Sequence, residues 1–229
     1  MYQWDFASLW QYRGLVAGGV LTTLLYTVVV ILTGLPLGVL AGLGQLSSHR
    51  LLAGALRAYV EVFRCTPVLV QLVWFYYALP VILGIELAPG TAAVLCLTLY
   101  GGAFYAEIVR AGVQSIAVGQ QEAGLALGMT RGQVLRSIVL PQAFRRMVPP
   151  LVSQSILQFK NTSLLSVLAI PDLLYQGQVI AHETYRPMEI YTLIAVVYFL
   201  MLLPATLLAR RLEASAVRAS GGLSPRSPS

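Results

Sequence analysis

The sequence predicts an all-α, polytopic membrane protein with about five transmembrane helices and one polar, helical loop between them. Three observations predict it. First, 57% of the 229 residues are hydrophobic and 10% are charged, against about 25% charged in soluble domains, and the mean hydropathy is +0.74. Second, the 36 residues between Arg13 and Arg50 contain no Asp, Glu, Lys or Arg, and a helical span needs roughly 20 apolar residues. Third, the arginines fall very unequally on the two sides of the predicted spans. The apolar blocks are too long for barrel strands of about 10 residues and do not alternate.

Taken in order, the first block covers about 15–43. It is too long for a signal-peptide core and has no basic region before it, so it is a retained span. The second covers about 59–84 and contains Pro67 and Pro80, and the third covers about 89–109. The fourth, about 147–170, carries Gln154, Gln158, Lys160, Asn161, Thr162 and Ser163, and the fifth covers about 188–209. Residues 1–212 are expected to form a single transmembrane domain. The tail 213–229 ends in "ASGGLSPRSPS", a Gly, Ser and Pro-rich composition expected to be disordered.

With the N-terminus outside, the inner segments collect twelve arginines and the outer segments only Arg13 and Arg186. Basic residues accumulate on the cytoplasmic side, so residues 111–146 and the C-terminus are placed there. The net charge of +6 thus reports orientation. No basic run interleaved with aromatics suggests a nucleic-acid partner; membrane lipid is the expected surrounding. Cys65 and Cys96 form no CxxC pair, so neither a metal nor a redox site is expected. His49 and His182 are isolated and read as surface residues.

The polar loop, about 115–141, reads as two short helices with a hinge. Gly128 follows "EAGLAL", where glycine fits the left-handed residue that closes a helix. Thr130 stands three residues before Gln133, the spacing of a capping box. Pro141 suits the first turn of the next helix, where its missing N–H leaves nothing unpaired. Such a hairpin either docks into a groove on a partner protein or lies on the membrane surface, and both readings stand on the residues alone.

"EAGLALG" followed by "IVLP" resembles the EAA signature of bacterial ABC-importer permeases: Glu-Ala-Ala, three residues, Gly, nine residues, Ile, any residue, Leu-Pro. Glu122, Ala123, Gly128, Ile138, Leu140 and Pro141 fill that pattern, with Gly124 where the family usually has Ala. The departure should weaken the helix by about 0.5–1 kcal/mol. "VEVFRCTPVLVQLVWFYYALP", "GAFYAEIVRAGVQSI", "LPQAFRRMVPPL" and "KNTSLLSV" are similar to stretches of the polar amino-acid permeases, with Cys65 in place of a common Gly and Asn161 in place of Asp. The resemblance covers about 15–212 and points to the histidine, glutamine and glutamate/aspartate subfamily.

The resemblance implies a type I ABC importer permease-like fold with a cytoplasmic coupling helix. It implies a second permease chain, identical or not, and a cytoplasmic ABC ATPase dimer that binds the ATP. It further implies an extracytoplasmic amino-acid-binding protein, a polar amino-acid substrate and a bacterial inner-membrane location. One part follows without the family. A P-loop needs GxxxxGK and Ser or Thr, and the only lysine is Lys160, preceded by Phe159. This chain therefore carries no Walker A motif, and it is not expected to be an enzyme or to hold a cofactor.

Polar groups within spans face protein or water. Gln154, Gln158 and Thr162 recur every four residues on one helical stripe, with Lys160 beside it. They either line a path for a zwitterionic substrate or bond helices together. Lys160 lacks the family's adjacent Asp, so Glu107 and Glu61 are its candidate partners, or the path solvates it. Glu107 and Arg110 are expected to pair, as are Glu61 and Arg64. Tyr100 either faces a pocket or, with Gly101 and Gly102, allows close helix approach. Trp74, Tyr76 and Tyr77 read as an outer aromatic belt. A secondary transporter or channel is the alternative, but it needs no docking loop and often shows inverted repeats. A membrane enzyme would need a clustered acid/base or metal constellation, which the scattered carboxylates do not suggest.

Overall fold

The computed structural model describes residues 4–219, and every regular element among them is helical. Three helices are long and apolar enough to cross a membrane unbroken, within 7–44, 89–114 and 187–212; two further spans arise only if each of two bent helix pairs counts as one. Up to five spans are thus available among the described residues, and the second and fourth of them are not straight.

Helix α1 (Arg13–Gly44) is the first block. The second block breaks into α2 (Arg50–Cys65) and α3 (Val68–Leu83), which meet at 106°. The block read as about 59–84 is therefore bent at Pro67, and its first helix begins earlier, at Arg50. Pro67 disfavours the helical conformation in the residue before it, and Thr66 is extended at φ −113°, ψ 140°. The Gln71 amide then donates to the carbonyls of Phe63, at 2.9 Å, and Thr66, at 3.0 Å, so two of the carbonyls at the break are satisfied. His49 caps α2 by accepting from the Leu52 N–H.

Helix α4 (Pro89–Gln114) is the central element and packs most extensively on α1. Gly34, Gly38 and Gly42 make this contact possible. A Cβ on Gly38 would lie 2.3 Å from the Tyr105 Cβ, and one on Gly42 2.6 Å from the Ala106 carbonyl oxygen. Small residues every four positions let membrane helices approach closely. Gly102 faces the same seam, with Leu37 and the Tyr59 hydroxyl where its Cβ would stand.

After the polar loop, α7 (Leu140–Asn161) leads into a 3-10 turn at 162–168. A break follows, and α8 (Leu173–Thr184) sets off at 46°. Sequence reading placed no helix there. Asp172 is fully buried at this break; it accepts the Tyr175 N–H at 2.8 Å and the Tyr198 hydroxyl at 3.4 Å. Thr23 on α1 accepts the Leu173 N–H. The last helix, α9 (Pro187–Ala219), runs past residue 212, so 213–219 of the expected tail continue a helix; residues 220–229 lie outside the described residues.

Candidate coupling hairpin and polar cavity

The polar loop folds as the short-range chemistry predicts. Helix α5 (Val118–Ala126) ends with Gly128 at φ +81°. The Gly128 N–H donates to Leu125 and the Met129 N–H to Gly124, the two bonds of a Schellman ending. Thr130 then caps α6 (Arg131–Val134) through a complete capping box with Gln133. A π-turn over 135–139 joins α6 directly to α7, so Pro141 opens α7 without an intervening loop. The wide turn is the expected consequence of Pro141, whose ring crowds the carbonyl four residues back.

The motif residues divide into two groups. Glu122 and Ala123 are exposed, and so is Leu127 at 82%. Gly124 is buried, and a Cβ there would lie 2.8 Å from the Ile138 Cδ1 and 2.9 Å from the Val134 Cγ2. The departure from Ala thus admits these side chains and closes the hairpin on itself. Ile138 and Leu140 are half-buried and Pro141 is exposed. Val134, Val139, Ala143 and Met147 form one apolar cluster with Val109, Val113 and Ile116. Arg146 donates to the Ser115 carbonyl at 2.6 Å. The hairpin is therefore seated on the ends of α4 and α7.

Of the predicted path residues on α7 and the turn after it, Gln154, Gln158 and Thr162 are buried and Lys160 is not. Gln158 is 0% exposed and donates to the Leu97 carbonyl at 2.7 Å, in the space that Gly101 leaves open. Thr162, also fully buried, donates to Phe159. Gln154 is buried, and its Nε2 has no partner among the described residues. Lys160 is exposed, and neither Glu107 nor Glu61 is within ion-pair distance of it. Tyr100 is half-buried with its ring 4.8 Å from that of Phe104.

Glu107 instead belongs to a polar cavity of about 390 Å³ lined by Gln45, Arg57, Glu61, Arg64 and Arg110. Arg110 pairs with Glu107 as expected, its Nε 3.2 Å from Oε2. The expected Glu61–Arg64 pair is absent. Arg64 reaches Glu107 at 3.6 Å, and among the described residues Glu61 accepts the Cys65 S–H, at 3.7 Å. Because α2 lies across α4, a carboxylate on α4 displaces the local partner. Sequence reading missed Gln45 and Arg57. The spacing of Arg50, Arg57 and Arg64, seven apart on one helical stripe, was the available signal.

Similarity to known proteins agrees with this geometry. The chain is 38% identical over 212 residues to the glutamine transport system permease protein GlnP of Escherichia coli (strain K12), covering 92% of this chain and 97% of that protein. It is 37% identical over 220 residues to the glutamate/aspartate import permease protein GltK of Escherichia coli O157:H7, covering 93% and 98%. A solved structure described as "Crystal structure of an amino acid ABC transporter with histidines" superposes with a TM-score of 0.88 at 34% identity, covering 93% of this chain and all of that one. Residues 34–218 match the family described as "Binding-protein-dependent transport system inner membrane component". The chain belongs to that family, as a permease subunit of an ABC transport system and not as a secondary transporter or channel.

Proposed function

We propose that the chain imports a polar amino acid of the glutamine or glutamate/aspartate type, driven by ATP bound to separate ATPase subunits. It pairs with a second permease chain and receives its substrate from an extracytoplasmic binding protein. The single transmembrane domain, 1–212, has its N-terminus outside, and the hairpin at 115–141 and the tail face the cytoplasm. The twelve-to-two arginine bias supports this orientation.

One observation carries the coupling role. The hairpin holds Glu122, Ala123 and Leu127 exposed while its own fold is fixed by a Schellman ending, a capping box and a buried Gly124. An exposed apolar residue on a pre-formed helical turn fits a groove on a partner. Glu122, Ala123 and Gly128 then act at the ATPase contact, and Ile138, Leu140 and Pro141 support them from behind. For the substrate path, Gln154 is the best-placed member of the α7 stripe, because its buried amide retains an unused donor. Lys160, which is exposed, stands near it in sequence.

The test is reconstitution of the chain with a candidate ATPase and a candidate amino-acid-binding protein. ATP-dependent uptake of labelled glutamine, glutamate, aspartate and arginine is measured. Uptake of glutamine or of the acidic pair, lost without the ATPase, supports the proposal. Uptake that needs no ATPase sinks it.

A further inference from the structure

Four arginines gather at one end of the seam between α7 and α9. Helix α7 begins at the end of α4, where Arg146 meets Ser115. Helix α9 begins at the start of α1, where Ile190 and Ile194 cluster with Leu9. Because α1 and α4 run parallel, with Gly34, Gly38 and Gly42 meeting α4 in ascending order, α7 and α9 run in opposite directions. Phe159 and Tyr198 fix their register, with ring centroids 6.3 Å apart. Arg146 stands thirteen residues before Phe159, and Arg211 thirteen after Tyr198. At 1.5 Å per residue both lie roughly 20 Å from that contact, so Arg145, Arg146, Arg210 and Arg211 share one level. Burial agrees with this register. Val148 and Val152 on α7 are half-buried, as are Leu202 and Ala205 on α9, and Ala209 is buried. Arg145 continues the first face, and Arg210 follows the end of the second.

Arg145, Arg210 and Arg211 are exposed, and among the described residues their side chains form no ion pair or hydrogen bond. Arg146 donates to Ser115 alone. The sequence places no Asp or Glu in α7, nor in α9 from Ile190 to Leu212; against the four arginines stands Glu213. Exposed apolar side chains adjoin them: Phe144 beside Arg145, and Leu207 and Leu208 one turn before Arg211. We infer that this end of the seam binds the headgroup of an anionic phospholipid, with its phosphate between Arg145 and Arg210 and its acyl chains along the apolar side chains of α9. Basic pockets between membrane helices take such headgroups, and guanidinium groups match phosphate through paired N–H donors. The apolar neighbours select lipid over a soluble anion, because a lipid is held by its chains as well as its phosphate. A zwitterionic lipid fits less well, because it brings a cation that the arginines repel. With Arg145 on α7 and Arg210 on α9, the lipid clasps the helix that continues the hairpin to the last span. On the orientation proposed above it belongs to the inner leaflet, and thiol labelling of the two sides of the membrane tests that orientation separately.

The full-length chain, purified in non-ionic detergent, is titrated with phosphatidylglycerol, phosphatidylethanolamine or phosphatidylcholine. Bound lipid is counted by native mass spectrometry, and the melting temperature is read in parallel. The first phosphatidylglycerol should bind about tenfold or more tighter than either zwitterionic lipid and should raise the melting temperature. Arg145→Gln with Arg210→Gln should weaken it roughly 30-fold and remove the thermal shift, at the usual share of each basic residue. Each single substitution should cost roughly fivefold, so the outcome does not hang on the double variant folding. Arg131→Gln with Arg136→Gln removes the same charge from the hairpin and should leave lipid binding as in the wild type. Equal binding of the three lipids overturns the site, as does wild-type binding by the 145/210 variants. So does an equal loss in the 131/136 variant, which would mark a bulk-charge effect. Displacement of the lipid by inorganic phosphate would mark a soluble-anion pocket and overturn it as well. If the 145/210 variants keep phosphatidylglycerol but lose co-purification with a candidate ATPase, these arginines belong to a protein partner instead.

Discussion

Gly128 offers a clean perturbation, because what its position demands of a residue is a backbone conformation. Its φ is +81°, and no atom lies within 4 Å of where a Cβ would stand. A side chain there meets no steric wall, so any effect comes from the backbone. The left-handed conformation costs an ordinary L-residue about 1–2 kcal/mol, and Asn is among the residues that tolerate it. Such a cost lowers the population of the closed hairpin roughly 5–30-fold relative to open forms. The expected order of coupling is therefore Gly, then Asn, then Ala, then Val, whose branched Cβ makes left-handed φ hardest. The assay is ATP hydrolysis and amino-acid uptake by reconstituted complexes, with ATPase co-purification as the measure of docking. Gly128→Val should lose docking or uncouple hydrolysis from uptake, and Gly128→Asn should stay near wild type. Equal behaviour of Asn and Val, or full coupling in both Ala and Val, would refute the conformational argument. Gly128→Asp, which also places a charge beside the docking face, should do worse than Gly128→Asn if the partner surface matters.

Other expectations follow from the same geometry. Single cysteines at Ser8, Arg131 and Ser220, in a background without Cys65 and Cys96, are to be probed on intact cells with an impermeant thiol reagent, and only position 8 should label. Gly38→Val should cost about 1–3 kcal/mol or more through overpacking against Tyr105, read as a lower unfolding temperature in detergent. Gln158→Leu removes the bond to Leu97 and should cost about 1 kcal/mol with little change in substrate preference. Lys160→Met, on an exposed side chain, should leave stability unchanged and lower uptake, and equal uptake in wild type and mutant would remove Lys160 from the path.

What could be read from the sequence was set by range. The hairpin was legible because each part is local: Gly128 closes one helix as its own N–H donates three residues back and that of Met129 five back, and Thr130 opens the next with Gln133. The five apolar blocks were legible by length. The 106° break was visible only as Pro67, since its depth depends on Gln71 folding back to Phe63 and Thr66. The choice of Arg64 between Glu61 and Glu107 was not legible, because both carboxylates are chemically equal and only the crossing of α2 over α4 decides. Gly34, Gly38 and Gly42 were readable as a small-residue stripe and were passed over. Asp172, after Pro171, marked a break that a hydropathy count does not register, because the segment beyond it is too polar to stand out.

If the hairpin is pushed by an ATPase, the structure determines which seam gives way. The helix that begins with Arg131 continues to Leu168 without a loop, so force applied at α6 passes into α7. Helix α4 cannot follow freely, since its seam with α1 interlocks around Gly38 and Gly42. The seam between α4 and α7 is held by side chains rather than by backbones in contact: the Tyr105–Ser155 bond at 2.8 Å, the Gln158–Leu97 bond, the Arg146–Ser115 bond, Met147 lying over Gly112, and the apolar cluster of Val109 and Val113 with Ala143. A few net hydrogen bonds of about 1 kcal/mol each yield more readily than backbones in contact. Sliding of α7 on α4 is therefore the expected motion. A Cβ on Gly112 would lie 3.6 Å from the Met147 Cβ, within the 3.5–4.5 Å that a disulfide spans. The double variant Gly112→Cys with Met147→Cys, made without Cys65 and Cys96, should lock that seam on oxidation. Uptake should stop when the bridge forms and return when it is reduced, with the ATPase bound throughout. Full uptake by the oxidised, cross-linked complex would show that α7 does not move against α4, and that the push leaves the hairpin by another route.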